Sequence, residues 1–152
     1  MSIPIKIKKL HNFAPMPKYA KGGDACFDLT ATSINNTEKY LEYGTGLAME
    51  IPKGYVGLIY PRSSITLTDL MLKNGVGVID SGYRGEIKFR FMKLPSISSL
   101  SEEELIQHHG VYKIGERVGQ MMVLPLPPVY FEVVDELSHT DRGEGGYGST
   151  GN

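Results

Sequence analysis

Residues 77–91 read GVIDSGYRGEIKFRF, and this stretch decides the fold class. It opens with a short apolar run and closes with apolar and charged residues that alternate one by one from residue 86 to residue 91. Alternation with a period of two is typical of a strand with one buried face. The intervening glycines and Asp80 favour a turn. Residues 77–91 therefore predict two β-strands joined by a glycine-rich turn.

Similar short segments recur along the chain between clusters of Gly, Pro, Asn and Asp. The segments expected to form strands cover residues 3–8, 47–51, 55–60, 76–79, 86–91, 120–124 and 129–134. Many short strands with regular turns indicate an all-β domain, which can be a sandwich, a barrel or a jelly roll.

Two short helices are expected among these strands. Residues 63–72 can form a turn or two with a partly apolar face. Ser101 and Glu104 have the spacing of a capping box, which predicts a helix that begins there. This second helix lies in a long connection, residues 95–112, far beyond the ~2–5 residues of an ordinary hairpin loop. The connection is either a partner-binding or regulatory insert or a decorated surface loop.

The overall composition argues against several classes of protein. The 152 residues carry a net charge of −1, which gives no bulk electrostatic reason to bind nucleic acid or a membrane. No apolar run is long enough to span a bilayer, and the first residues lack the features of a signal peptide. Cys26 is the only cysteine, so no intrachain disulfide can form. We expect one domain in the cytoplasm, or in the host cytoplasm or nucleus if the protein is viral.

Three internal clusters place polar groups next to predicted strands. Residues 61–64 (PRSS) offer an arginine and two hydroxyls to a phosphate, or form a proline turn with a serine helix cap. Asp80 follows an apolar strand and is either a general base facing a cleft or the first residue of a turn. Residues 115–120 (GERVGQ) combine a turn with Gln120, and a turn with a surface ion pair also explains them.

A fourth cluster is the glycine-rich end of the chain, residues 141–151 (DRGEGGYGSTG). Arg142 offers a planar fork to a phosphate, and Tyr147 offers a ring that can stack on a base. The tail is therefore an arm that orders over such a ligand, or a disordered end. The four histidines and the one cysteine lack metal-ligand spacing. A metal would then be held by substrate oxygens and water, as Mg²⁺ often is with nucleotides.

Together with residues 25–29 (ACFDL), these clusters resemble, in order, the five motifs of trimeric dUTP pyrophosphatases (dUTPases). The resemblance spans nearly the whole chain. Cys26 stands where the family usually has glycine, Gly119 where alanine is common, and Tyr147 where phenylalanine is commoner.

The resemblance implies a jelly-roll-like homotrimer with three active sites at subunit interfaces, and Mg²⁺-dependent hydrolysis of dUTP to dUMP and pyrophosphate. Such an enzyme limits uracil incorporation into DNA and supplies dUMP for thymidylate synthesis. Asp80 would activate the attacking water, and Asp28 would act near the metal through water or support the site. Residues 1–138 would form the β domain, and residues 139–152 would form an arm that closes over an active site.

The resemblance also assigns substrate-binding residues. They are Arg62, Ser63, Ser64, Asn74, Gly77, Val78, Ile79, Tyr83, Lys88, Gln120, Arg142, Tyr147 and Gly148. Tyr83 would pack under the deoxyribose. Asn74 and the backbone of residues 77–79 would read the uracil edge in a tight hairpin that excludes a thymine methyl. Arg142 would reach the γ-phosphate, and Tyr147 would stack on uracil from the tail of another subunit.

Two other functions remain open. dCTP deaminases share the fold and some motif features, but they carry a glutamate on the strand after the glycine turn. That strand reads EIKFRF over residues 86–91 in this chain, with the basic residues Lys88 and Arg90 where that acid is expected. A non-catalytic jelly-roll module would need neither Asp80 nor Arg142.

Overall fold

The computed structural model describes residues 2–146, which form nine β-strands, a 3₁₀ helix and one α-helix. The strands are β1 Lys6–Lys9, β2 Phe27–Thr30, β3 Ser33–Asn36, β4 Leu41–Glu50, β5 Tyr55–Tyr60, β6 Leu70–Leu72, β7 Gly77–Ile79, β8 Glu86–Lys93 and β9 Arg117–Pro125. The 3₁₀ helix covers Ser63–Leu67, and helix α1 covers Glu102–Gln107. Within residues 2–146, no helix has the length and hydropathy needed to cross a bilayer.

The strands form two antiparallel sheets. The first sheet has the order β1-β4-β8-β6, with β3 also paired to β4. The second has the order β2-β9-β5-β7. The all-β prediction is confirmed, and the architecture is a two-sheet, jelly-roll-like domain.

The core lies between the two sheets. On β8, the buried residues Ile87, Phe89 and Phe91 alternate with exposed Lys88 and Arg90, as the period-two pattern predicted. The first sheet adds the fully buried residues Tyr43, Leu47 and Met49, and the second adds Leu29, Val118 and Met121. Close packing of these large side chains fixes how the two sheets sit on each other.

Three strands were not expected from the sequence. Strand β3 is mostly polar, and β2 and β6 are only four and three residues long. The helix expected over residues 63–72 is correct only for its first half. The 3₁₀ turn ends at Leu67, and β6 then pairs with β8 from Leu70. A short segment takes its structure from the strand beside it, which its own composition does not reveal.

The strand expected at residues 129–134 is absent from the structure. The segment is β-branched and aromatic, yet Phe131 and Val133 are 95% and 99% exposed. A strand needs a neighbour for its backbone hydrogen bonds, and no strand within residues 2–146 lies beside this segment. In a single chain the packed sheets therefore end at Pro125. The boundary at residue 138 stays a prediction.

The long connection of residues 95–112 is part of the domain core. Helix α1 begins with the predicted capping box, in which Ser101 and Glu104 exchange side-chain and backbone hydrogen bonds of 2.8 and 3.3 Å. Ile97, Leu105 and Val111 are 0–4% exposed. The connection therefore contributes apolar side chains to the core and is more than a decorated loop. A partner for this segment stays a prediction.

The buried face of α1 gives a stability prediction. We expect Leu105→Ala to destabilise the protein by about 2–5 kcal/mol, because it removes a buried side chain and leaves a cavity. Ile106→Ala is the matched control, since the neighbouring Ile106 is 47% exposed and its loss should cost less than ~1 kcal/mol. Urea unfolding of both variants measures the difference. Equal effects would show that the connection does not support the core.

Candidate active site

Strand register brings residues of three separate sequence clusters to one end of the second sheet. Gln120 on β9 lies opposite Asp28 on β2 and opposite Tyr60 on β5. Residues 61–64 follow Tyr60 directly, and Gln120 Nε2 donates to the Pro61 carbonyl at 2.9 Å. The register thus places the polar groups of β2, β9 and the β5 end in one cluster.

The Asp28 carboxylate organises this cluster. Its Oδ1 accepts from Arg62 Nε at 2.7 Å, and its Oδ2 accepts from Arg117 Nη1 at 3.0 Å. The Asp28 and Arg62 side chains are only 14% and 21% exposed. One carboxylate with two guanidinium groups leaves a net positive charge, and the free edges of the arginines can bind an anion. Residues 115–120 therefore do contribute an ion pair, and it joins Arg117 to the carboxylate that also holds Arg62.

The cleft beside this cluster, named here the Arg62 cleft, has a volume of about 410 Å³. Its lining residues are Ala20, Asp24, Ala25, Cys26, Asp28, Arg62, Ser63 and Gln120. Burial, and then the charge of Asp28, raise the pKa of the Cys26 thiol. Cys26 is therefore a neutral wall of the cleft and not an activated nucleophile.

A second cleft, named here the Asp80 cleft, has a volume of about 510 Å³. Its lining residues are Lys73, Asn74, Val78, Ile79, Asp80, Tyr83, Glu86, Lys88 and Arg90. Asp80 lies directly after β7, and its carbonyl accepts from the Tyr83 backbone N–H at 3.0 Å. Asp80 therefore starts a turn and also presents an exposed carboxylate to the cleft. No ion pair within residues 2–146 involves this carboxylate.

Local contacts hold the Tyr83 ring in place. The Tyr83 hydroxyl donates to the Glu86 carbonyl at 3.0 Å, and the ring lies over Gly85, where any side chain would collide with it. The ring therefore has a defined position beside Asp80, although Tyr83 is 43% exposed.

Asn74 reaches the Asp80 cleft from the turn between β6 and β7. These two strands belong to different sheets, so the predicted tight hairpin is wrong in its pairing. The turn is held instead by short-range backbone hydrogen bonds, from Gly75 N to the Leu72 carbonyl and from Val76 N to the Asn74 carbonyl. Gly77 begins β7 and is packed against Ile59, which leaves no space for a side chain.

Lys88 lines the Asp80 cleft but is engaged by a buried acid. Its Nζ lies 3.0 Å from Glu42, which also accepts from Arg90 Nε at 2.7 Å. Glu42 lies on β4, which pairs with β8, the strand that carries Lys88 and Arg90. The sequence alone does not show that these two strands pair, so it did not identify Glu42. Lys88 thus supports the cleft wall in this structure, and its contact with substrate stays a prediction.

The two clefts lie at different ends of the second sheet. Antiparallel pairing places Ile79 beside Gly57, so Asp80 follows at the level of Val56. Arg62 lies six residues beyond Val56 along the extended β5 strand and its continuation, a distance of roughly 20 Å. No residue lines both clefts. One chain therefore keeps the Asp80 carboxylate and the Arg62 guanidinium in two separate clefts, named here the two half-sites.

Comparison with known proteins identifies the family. The dUTPase family model matches residues 12–151. The chain belongs to the dUTPase family. A deoxyuridine 5'-triphosphate nucleotidohydrolase of Corynebacterium glutamicum is 40% identical to it over 151 residues, which cover 97% of this chain and 94% of the relative.

Solved structures of dUTPases share the fold. The Staphylococcus bacteriophage 80alpha dUTPase with bound dUPNHPP is 26% identical, with a TM-score of 0.75 over 98% of this chain and 99% of that chain. A variant of the dUTPase from phage phi11 of S. aureus, described with a structural Mg(II) ion, is 24% identical. Its TM-score is 0.69, over 88% of this chain and 97% of that chain.

The described residues include the fifth dUTPase motif only as far as residue 146. Arg142 is exposed, and its Nε donates to the Gly145 carbonyl at 3.0 Å within a local turn. Arg142 lines neither cleft of its own chain. Tyr147 and Gly148 lie outside the described residues, so their roles and the closing arm stay predictions.

The fourth dUTPase motif departs from the family at Gly119, and the structure explains why. The Phe89 ring fills the space where a Gly119 side chain would be. Both residues are buried, and Phe89 is fully so. A large aromatic residue on β8 thus requires glycine on β9, one residue before Gln120.

This contact predicts a compensating pair of substitutions. We expect Gly119→Ala to destabilise the protein by about 1–3 kcal/mol through overpacking against Phe89. In a Phe89→Leu background the same change should cost clearly less, since the smaller side chain leaves room. Chemical unfolding of the single and double variants gives the coupling energy. Additive effects would mean that the ring does not restrict Gly119.

The ion pairs of Glu42 predict that the folded protein loses stability in acid. Burial alone would raise the pKa of Glu42, but hydrogen bonds from Arg90 and Lys88 outweigh it and lower the pKa below its ordinary value of 4.5. Folding therefore favours the ionised carboxylate. Its contribution is fully present above about pH 4.5 and is lost as the pH falls through the lower pKa of the folded state.

Glu42→Gln tests this dependence because glutamine keeps the shape without a titrating group. Between about pH 3 and pH 6, the stability difference between wild type and Glu42→Gln should shrink as the pH falls. Urea midpoints across this range measure it. A difference that stays constant with pH would contradict the assigned role of the Glu42 carboxylate.

Proposed function

We propose that this protein hydrolyses dUTP to dUMP and pyrophosphate at active sites shared between copies of the chain. The observation that carries the proposal is the pair of half-sites on a chain of the dUTPase family. The Asp80 cleft, of about 510 Å³, offers a carboxylate that can act as the base, and the Arg62 cleft offers a guanidinium group for the phosphates. Hydrolysis at the α-phosphorus needs both, since phosphoryl transfer depends on positioning and charge stabilisation.

In the proposed reaction, Asp80 accepts a proton from a water molecule as that water forms a bond to the α-phosphorus. The bond from the α-phosphorus to the bridging oxygen of the β-phosphate breaks, and pyrophosphate leaves. The exposed Asp80 carboxylate is free of ion pairs within the described residues, so it can act as a base. The fixed ring of Tyr83 next to it gives the deoxyribose a flat surface.

The phosphates would bind in the Arg62 cleft. Arg62 is held by Asp28, so its planar group is already oriented before an anion arrives. Ser63, Ser64 and Gln120 add neutral hydrogen-bond donors beside it. Arg142, Tyr147 and Gly148 would complete the substrate contacts from an arm of another copy.

Mg²⁺ would support this site mainly through the phosphates. Residues 2–146 contain no cluster of three acidic, histidine or cysteine side chains that could hold the ion by themselves. Each Asp28 oxygen already accepts from an arginine, yet each keeps a second lone pair for a metal-bound water. Asp28 therefore fits an indirect role. The ion would supply charge neutralisation on the triphosphate.

A homotrimer would unite the half-sites. The segment of residues 126–134 is exposed and rich in apolar side chains, such as Tyr130, Phe131 and Val133 at 86–99% exposure. An apolar, strand-forming segment of this kind is typical of a surface that another chain covers. We propose that it packs on a neighbouring copy and brings the Asp80 cleft of one copy to the Arg62 cleft of another.

A substrate panel tests the reaction. Pyrophosphate release from dUTP, UTP, dTTP and dCTP, with and without Mg²⁺, should be strong only for dUTP with Mg²⁺. Asp80→Asn should keep nucleotide binding and lower turnover by about 10²- to 10⁴-fold. Ammonia release from dCTP without pyrophosphate from dUTP would instead identify a deaminase.

Complementation tests whether the sites are shared. Asp80→Asn and Arg62→Ala should each be inactive, but co-expressed copies should regain activity at about one quarter of the sites if subunits mix randomly. That fraction is the chance that one neighbour supplies Asp80 and the other supplies Arg62. Co-expression of wild type with the double variant is the matched control for mixing. Continued inactivity in mixed assemblies that are shown to form would mean that each chain builds its own site.

A further inference from the structure

One side chain outside the five motifs reaches the Arg62 cluster from within the domain. Tyr112 is the last residue of the long connection, and its hydroxyl lies 3.1 Å from Ser64 Oγ. Tyr112 is 5% exposed. The contact joins residues 48 positions apart, so nothing local in the sequence announces it.

A backbone hydrogen bond and two aromatic contacts hold Tyr112 in place. Its backbone carbonyl accepts from the Tyr43 hydroxyl at 3.0 Å. Burial raises the pKa of Tyr43, so this hydroxyl stays protonated and donates. The Tyr112 ring contacts the rings of Tyr43 and Phe91, with centroids 6.2 and 6.0 Å apart. The hydroxyl of Tyr112 therefore has a fixed position relative to Ser64.

The direction of the hydrogen bond follows from counting donors and acceptors. A serine hydroxyl has one hydrogen and two lone pairs. Arg62 Nη1 can only donate, so it takes one lone pair of Ser64 Oγ, at 3.2 Å. If Ser64 donated to Tyr112, the buried Tyr112 hydrogen would be left without an acceptor, which is costly. Tyr112 therefore donates to Ser64 and takes the second lone pair.

We propose that Tyr112 is a positioning residue that, together with Arg62, turns the hydroxyl hydrogen of Ser64 toward the bound triphosphate. With both lone pairs of its hydroxyl oxygen occupied, Ser64 can act only as a hydrogen-bond donor, here toward a phosphate oxygen. Half-buried Ser64 lies between the cleft residues Arg62 and Ser63 and the buried Tyr112. This inference rests on the proposed function, which places phosphate oxygens at the Arg62 cleft.

The inference predicts an effect on turnover more than on binding. Negative charge on the leaving oxygen grows toward the transition state, and a pre-oriented donor stabilises it there without reorganisation. It also gives the long connection a role, because the connection carries Tyr112 into the site.

Tyr112→Phe tests the proposal because it removes one oxygen and keeps the ring. We expect kcat for dUTP to fall by about 5- to 20-fold with KM changed by less than about twofold, and Ser64→Ala to lower kcat further. In the Ser64→Ala background, Tyr112→Phe should have no additional effect on kcat. An equal fall in both backgrounds, or unchanged kcat in Tyr112→Phe alone, would overturn the proposal.

Thr45→Val is the control for loss of a buried hydroxyl. Thr45 is fully buried, and its hydroxyl donates to the Ile87 carbonyl at 2.8 Å, away from both clefts. It should lose stability like Tyr112→Phe but keep wild-type kcat, and an equal fall in kcat would also overturn the proposal. If Ser64→Ala keeps the wild-type kcat, the proposed phosphate site itself is contradicted. If Ser64→Ala lowers kcat but Tyr112→Phe does not, only the role of Tyr112 is contradicted.

Discussion

The backbone pairing of β9 with β2 and β5 is the constraint on which the functional cluster depends. It places Gln120 beside Asp28 on one side and beside Tyr60 on the other. Because side chains alternate between the two faces of a strand, a slip of one residue would turn Gln120 into the core and bring Gly119 to the cleft. The fit of Gly119 under the Phe89 ring opposes that slip, so core packing and site geometry fix the same register.

The strand register also separates Asp80 from Arg62 within one chain. Strand β7 runs antiparallel to β5, so the end of β7 that carries Asp80 points away from the end of β5 that carries Arg62. The direction of the strands therefore places Asp80 and Arg62 far apart before any side chain is considered. In the proposed trimer, the full site forms only by assembly, and assembly would exclude water from a cleft that is open in the single chain.

Local patterns in the sequence predicted local structure well. The alternation of β8, the strand Tyr55–Tyr60 and the Ser101 capping box depend on neighbours along the chain, and the structure confirms them. The motifs located both clefts because each motif lies within a few residues of a strand end. Glu42 and Tyr112 could not be found this way. Their side chains contact partners 46 and 48 positions away, which only the folded sheets bring near.

The failed strand at residues 129–134 has the same physical origin as the divided site. Its composition favours a strand, but a strand forms only where another offers free backbone groups. In the proposed trimer, a second chain would provide both a pairing partner for this segment and the other half of each site, so one assembly step would satisfy them together. The exposed apolar side chains of this segment would supply the hydrophobic free energy for that association, while Asp80 and Arg62 would act on the substrate. In the proposed trimer, the stability of the assembly and the hydrolysis of dUTP thus depend on the same stretch of chain.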